Sequence, residues 1–506
     1  MRRGVSWRST RRARAGAVAL VLATLIVSVA AAIARPRAPS ASQAGVVVVP
    51  LPYRPLSLAL DPSNGRAIVA MSAPSGTRSF AAVVDIRASR AVAVAIAPLS
   101  ALNPLAIVAG AGRAFVIGNG GGGEIDAVDT GTGALVWAAP VGQSAPVDAA
   151  LDTPANRLYV ALAAPLGPSV RAYDTRSGRA LAQRTLSNEQ TPDGEPDVSW
   201  ISLVGLDAPR QRLVVASSGA GSGGTGRPGS VALRVLDART IAPVGPPLAS
   251  SSSGRFLAAA ALVDAADGRL VVVTPSGRLA LRSTETGRGV SLSGSGAGGR
   301  LVRPLLASDA RGGPVALLSA APGDRLVALD ARAGRVVFAR AAPGTVDRGA
   351  IWEPLALAVD ASRGRVYAAF LVVSHSATTP WRVRLIAAAL RGGGRTMSLD
   401  IPGLAFVTAM AVDGASGRVV LVGPTMPSLQ APMPTPATRR PYPWDGVLRW
   451  LGVPLAPRGS APRAGAVVVV APGSALPPTR GVRLPLGRRS PRSRLACCVI
   501  CSTVHG

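Results

Sequence analysis

The chain has 506 residues, with 55 basic side chains against 26 acidic ones and a formal charge of +29; every basic residue is Arg. Two His and three Cys exclude a multi-histidine metal centre and an interior disulfide framework, because Cys497, Cys498 and Cys501 all fall in the last ten residues. A hydrophobic content of 48% supplies a large core and excludes wholesale disorder.

Residues 2–14 hold six Arg and no acid, and residues 15–34 (AGAVALVLATLIVSVAAAIA) hold no charge. An apolar helix of that length rises roughly 30 Å, one bilayer core. Only Arg35 and Arg37 follow closely, so the charge bias orients the segment with its C-terminal side outside the cytoplasm. Two expectations stand side by side. An uncleaved anchor fits the length, and a secretory signal fits Ala32-Ile33-Ala34 as a cleavage site. Under both, residues 35–44 are a linker, the rest of the chain is extracytoplasmic, and nucleic acid drops out as a partner.

From residue 45 to 487 one pattern returns about every 50 residues: an apolar run ending in Asp, a short turn, an Arg and a second apolar run. Asp61 leads to Gly65-Arg66 and AIVAM; Asp152 to Asn156-Arg157 and LYVAL; Asp207 to Arg212 and LVVAS. Asp264, Asp360 and Asp413 lead in the same way to Arg269, Arg365 and Arg418. Two looser copies run through Gly110–Arg113 and through Asp309. Each copy has a second half of the same design, as in EIDAVDTGTGALVWAAP and SVRAYDTRSGRALAQ. Four short apolar runs per unit, separated by Gly, Pro and Asp, predict an all-β protein, a single β-propeller of four-stranded blades. The units number eight, with seven blades and one degenerate copy as the alternative. The run GVVVVPL at 45–51 is predicted to pair with the last blade and close the ring.

Arg157-Leu158-Tyr159-Val160 and Arg365-Val366-Tyr367 resemble the repeat of the bacterial YVTN propellers. Ala127, Asp129, Thr132, Gly133 and Trp137 together resemble the tryptophan-docking motif of the quinoprotein-like propellers, with a partial copy at Ala328, Asp330, Gly334 and Phe338. The resemblance implies a fold; by itself it implies no activity.

The spacing Asp-x-x-x-x-Arg recurs nine times, including Asp85/Arg90, Asp174/Arg179 and Asp330/Arg335. Turn chemistry explains it: the Asp accepts from turn amides and the Arg is expected as its counter-charge. These turns belong to one face of the ring. The long connections belong to the other, which is therefore the expected binding face. There, 187–199 carries Glu189, Asp193, Glu195 and Asp197, weak candidates for a metal, although no full calcium-loop series is present. The connection 371–380 carries His375, and Trp381 follows it. The Pro-rich insertion 424–464 contains WDGVLRWLGVPL, whose Trp444, Leu448 and Trp450 form an apolar element suited to plugging the channel or meeting a partner. In the tail 488–506, Cys497, Cys498, Cys501 and His505 do not complete a haem-attachment motif, since Ser502 stands where His is needed.

The resulting expectation is a membrane-anchored binding or scaffold module for an envelope protein, peptide or glycan, with no catalytic residue and no cofactor assigned. A lactonase-like hydrolase or a quinone-dependent oxidoreductase is the alternative. The charge also resolves: residues 1–37 carry eight Arg and no acid, 439–506 carry eleven Arg and one Asp, and the body between carries 36 Arg against 25 acids.

Overall fold

The computed structural model describes residues 45–472 apart from 74–75, 89–91, 120–121, 143, 164–167, 187–199, 219–230, 247–248, 252–260, 274–278, 291, 293–304, 310–314, 320–324, 342–349, 375–380, 391–395 and 426–464. The segment 15–34 and the tail 488–506 lie outside the described residues. Among the described residues no helix is long and apolar enough to cross a membrane.

The strands assemble into eight four-stranded antiparallel sheets. Blade 1 is made of strands a to d at Arg54–Asp61, Arg66–Ser72, Ser79–Asp85 and Val92–Leu99. Blades 2 to 7 repeat this order, their inner strands a beginning at Pro104, Ala145, Trp200, Ala261, Leu305 and Ala350. Blade 8 joins Ala409–Asp413, Arg418–Pro424 and Gly465–Val470 to Val46–Leu51 from the opposite end of the chain. Every strand a contacts strand a of both neighbouring blades, so the eight sheets close around a central channel. The ring therefore has eight blades and not seven, and the early valine-rich strand closes it in full register, from Val46 opposite Val470 to Leu51 opposite Gly465.

The middle strands read as unbroken apolar runs because both of their faces are covered. In Arg66–Ser72 and Arg157–Ala163 every residue between the first and the last is buried. The core is divided into eight clusters, each shared by two adjacent blades. Phe115, Ile117 and Ile125 of blade 2 pack on Leu158, Val160 and Tyr173 of blade 3. Val420, Val422 and Val467 of blade 8 pack on Val69, Met71 and Val84 of blade 1.

Polar bonds at the short-turn face tie the same neighbours together. Asp61, fully buried, uses Oδ1 for Ser63 of its own turn and Oδ2 for the next blade, accepting from Gly112 N at 2.9 Å and Thr130 Oγ1 at 2.6 Å. Asp207 repeats the bond with Thr284 Oγ1 at 2.6 Å, and Asp152 accepts from Gln211 Nε2 at 3.1 Å. Across the closing junction, Asp413 accepts from Arg87 Nε at 3.1 Å. Burial pushes the Asp413 carboxyl up, but the bonds from Arg87 and Ser416 outweigh it and hold it below the ordinary range.

The expected pairing of each Asp with the Arg five residues later is corrected at the a–b hairpins. Asp61, Arg66 and Asp85 sit directly opposite one another across three strands. Asp61 turns into the next blade, so Arg66 pairs with Asp85 at 2.7 Å. Arg212 pairs likewise with Asp237 at 3.2 Å. Arg157 and Arg418 reach further, to the carbonyls of Arg239 and of Ile86 and Ala88 in the following blade. The expected geometry survives at the exposed c–d turn of Asp330 and Arg335, 3.6 Å apart.

The docking motif is real in three dimensions. Trp137 donates Nε1–H to the Thr175 carbonyl at 3.2 Å and lies over Gly178, where a Cβ would come 2.8 Å from the indole. Gly178 also has φ +71°, so it is fixed by both contact and backbone.

Asp264 is the exception among the inner-strand aspartates. The next blade offers Ala331 where blades 2 and 5 offer Thr130 and Thr284. Asp264 is buried and neither carboxylate oxygen closes a hydrogen bond among the described residues. Burial, with the charges of Asp267 and Asp207, pushes its carboxyl up to about 6 against the nearby amides of Asp267 and Ala266. The folded state thus takes up a proton more readily than the unfolded chain between about pH 4 and pH 6, and stability falls as pH rises through that window. Two opposite outcomes follow for one kind of residue. Asp61→Ala leaves Thr130 and the Gly112 amide without an acceptor and is expected to cost about 2 kcal/mol in denaturant melts. Asp264→Asn is expected to raise stability at pH 7 by on the order of 1–2 kcal/mol and to flatten the pH 4–6 dependence, measured as the difference between variant and parent melts.

Candidate functional site

Two faces follow from the strand directions. At one, strands a and b are joined by four-residue turns such as 62–65 and 153–156, or in blade 2 by Ala111 and Gly112 alone, both at positive φ (+51° and +79°) in the manner of a two-residue hairpin turn. At the other, strand b passes to c and strand d to the next strand a. The connections 187–199, 219–230, 375–380 and 426–464 all leave from and return to this second face.

The sequence-predicted binding-face residues fall in or beside these connections. Glu189, Asp193, Glu195, Asp197, His375, Trp444, Leu448 and Trp450 lie outside the described residues, as do Cys497, Cys498, Cys501 and His505. Trp381 opens strand c of blade 7, opposite Val373, so its backbone stands at the same face; its side chain is outside the description.

The channel walls are described more fully. In four inner strands a Pro is followed by an unpaired bulge residue: Leu56 after Pro55, Leu105 after Pro104, Val147 after Pro146 and Leu355 after Pro354. Proline has no N–H for the ladder, so the bulge falls beside it. Leu355 lies at the middle of its strand, and the other three bulges lie in the half of theirs nearest the long connections. Leu105 stays 48% exposed there, so this part of the channel has an apolar surface. Asp148 lies in the same part of its strand and accepts from Ser202 Oγ at 2.9 Å and from the Leu203 amide at 3.1 Å in the next blade. Burial nevertheless pushes the Asp148 carboxyl above its ordinary value. Asp126 does similar work between blades 1 and 2. It accepts from Ala101 N at 2.8 Å, and burial raises its carboxyl against the bonds from Ala101 and Ser100.

Apart from the Asp that ends a strand, the inner strands contribute Asp148 and Glu353 as acids, on blades 3 and 7. Among the described residues no three His, Cys, Asp or Glu side chains converge to hold a metal.

Sequence reading missed a cleft on the short-turn face. It has a volume of about 300 Å³ and lies between blades 2 and 3, lined by Gly110, Arg113, Phe115, Leu151, Asn156, Thr175 and Arg176 among others. The signal was present in the sequence: the second repeat ends its first run in Gly110 where the well-formed copies have Asp.

No protein-family model matches the chain, and no curated protein matches it. Solved structures resemble it in shape. Quinohemoprotein alcohol dehydrogenase from Comamonas testosteroni is 12% identical, with a TM-score of 0.51 over 84% of this chain and 76% of that one. BamB from Moraxella catarrhalis is 18% identical, with a TM-score of 0.40 over 74% of this chain and 96% of that one. A europium-containing methanol dehydrogenase is 12% identical, with a TM-score of 0.46 over 87% of this chain and 94% of that one. Identities this low speak for architecture alone. In architecture the chain is an eight-bladed β-propeller of four-stranded blades.

Proposed function

We propose that the protein is a membrane-anchored, extracytoplasmic binding module that holds an envelope protein, peptide or glycan on its long-connection face. The observation that carries this reading is the direction of the closing strand. Val46–Leu51 runs from the short-turn face to the long-connection face, and Gly45 sits at its start, accepting from the Ala471 amide at 2.8 Å. The linker 35–44 therefore joins the ring at the stapled face. An anchor at 15–34 then holds that face toward the bilayer and turns the long connections outward. Among these, 426–464 is the largest, and its WDGVLRWLGVPL stretch combines aromatic and aliphatic side chains of the type that dominates binding surfaces.

The insertion is separable from the ring. Pro424 and Gly465, its two bases, are directly opposite partners in blade 8, so a short Gly/Ser linker can span them. The test is crosslinking of the full chain in isolated envelopes, parent against a variant with 426–464 replaced by such a linker. The expected result is unchanged sedimentation with the membrane and loss of the crosslinked partner. Crosslinking that survives the replacement, or a full chain that washes off the membrane in alkaline carbonate, would overturn the reading.

A further inference from the structure

The cleft between blades 2 and 3 is where the repeat omits one of its own ligands. At the junction of blades 1 and 2, Asp61 Oδ2 accepts from Gly112 N and Thr130 Oγ1, and Thr130 Oγ1 in turn accepts from Asn64 Nδ2 at 2.7 Å. At the junction of blades 4 and 5, Asp207 and Thr284 repeat the bond. At the junction of blades 2 and 3 the donating threonine is in place. Thr175 occupies the place of Thr130 and Thr284, since its amide donates to the Asn156 carbonyl as theirs donate to those of Gly112 and Gly268. The accepting carboxylate is missing. Gly110 stands opposite Arg113 in the register where Asp61 stands opposite Arg66, and it brings no carboxylate.

What remains is the cleft of about 300 Å³, with Thr175, Asn156, Arg113 and Arg176 as its polar walls and Phe115 and Leu151 as its apolar ones. Arg113 is held in place by its bond to the Thr175 carbonyl at 2.7 Å. Neither Arg113 nor Arg176 forms an ion pair among the described residues. The gap is also locked against repair. A Cβ at Gly110 would meet Thr153 Oγ1 at 2.7 Å, whereas the positions matching Thr153 beside Asp61 and Asp207 are Ala111 and Ala265. Glycine and threonine at this junction replace the aspartate and alanine of the junctions at Asp61, Asp152 and Asp207.

We propose that this cleft binds a carboxylate, which takes the position of the absent aspartate against Thr175 and Asn156 and pairs with the two guanidiniums. A carboxylate suits the site because it is the group that the fold itself places there in neighbouring junctions, and because Arg forks match its two oxygens. The apolar side of the cleft takes the adjoining carbons. The same chemistry is offered by a free small dicarboxylic acid or by an Asp or Glu side chain of a partner.

The experiment is a thermal-shift and calorimetric titration of the full chain with succinate, at ionic strength held constant with chloride. Binding is expected in the parent, weakened about tenfold by Arg176→Ala, whose side chain is exposed and makes no bond between blades. The double variant Gly110→Asp, Thr153→Ala supplies the missing carboxylate from within. It is expected to melt higher without ligand and to lose the succinate response. A peptide with a single Asp, titrated in parallel, separates the two sources: tighter binding than succinate marks a partner's side chain, weaker binding marks a free acid. A succinate effect no larger than that of chloride, or one that persists in both variants, would overturn the proposal.

Discussion

A blade of this ring has no outside face on which to rest. Each sheet is apolar on both sides, so it is stable only when wedged between two others, and the last wedge must meet the first. Everything else in the structure depends on that closure. It is made by a strand from the N-terminal end, whose six residues pair with Gly465–Val470 and bury Val49 and Leu51 against blade 1. The closing strand covers Gly465–Val470, which would otherwise be an open sheet edge of consecutive buried residues. It also makes each junction an equal partner: one broken junction loosens two blades.

That constraint explains the use of charge. The aspartate that ends an inner strand lies where a turn and two blades meet, and burial there is tolerable because hydrogen bonds replace water on both oxygens. Arginine, the sole basic residue, does the complementary work over longer reach. Arg87, Arg210 and Arg363 each span a junction: Arg87 to Asp413, Arg210 to the Ala265 carbonyl, Arg363 to the carbonyls of Gly414 and Ala415. A guanidinium carries five donors in a planar fork and stays charged, so it bridges carbonyls that a lysine would meet at one point. The large positive charge of the chain is in part a set of such bridges, with the remainder on the two ends.

The architecture was legible because a repeat speaks many times. One Asp and one Arg say little; the same spacing in successive units, with the apolar runs in phase, gives strand order, the closing strand and a blade count of eight against seven. The pairing partner of each Arg was not legible. Sequence distance favours the Asp five residues back, while the actual neighbours are an Asp on strand c or a carbonyl in another blade, and these depend on where the buried Asp has turned. The docking of Trp137 on Gly178 was legible as a motif, and its contact across two blades only as a structure. The candidate residues in the long connections were found by composition, and the strands fix only the face from which those connections depart. Gly110 was visible but read as a worn copy. Its meaning needs the knowledge that Thr175, in the next blade, stands ready for a carboxylate.

Departures from a repeat therefore carry different kinds of information according to which half of a bond is lost. When the hydroxyl is lost, as at Ala331, the partner Asp264 is left buried, unbonded and hard to ionise, and the junction carries an electrostatic cost at neutral pH. When the carboxylate is lost, as at Gly110, no charge is stranded, and Thr175 and Asn156 line a cleft in its place. The first kind of departure weakens the ring and offers nothing to a ligand, because the group left behind is sealed. The second leaves donors and positive charge facing an accessible space. In a fold whose junctions are otherwise filled by their own side chains, the place where a foreign group gains most is the place where the chain has stopped supplying one.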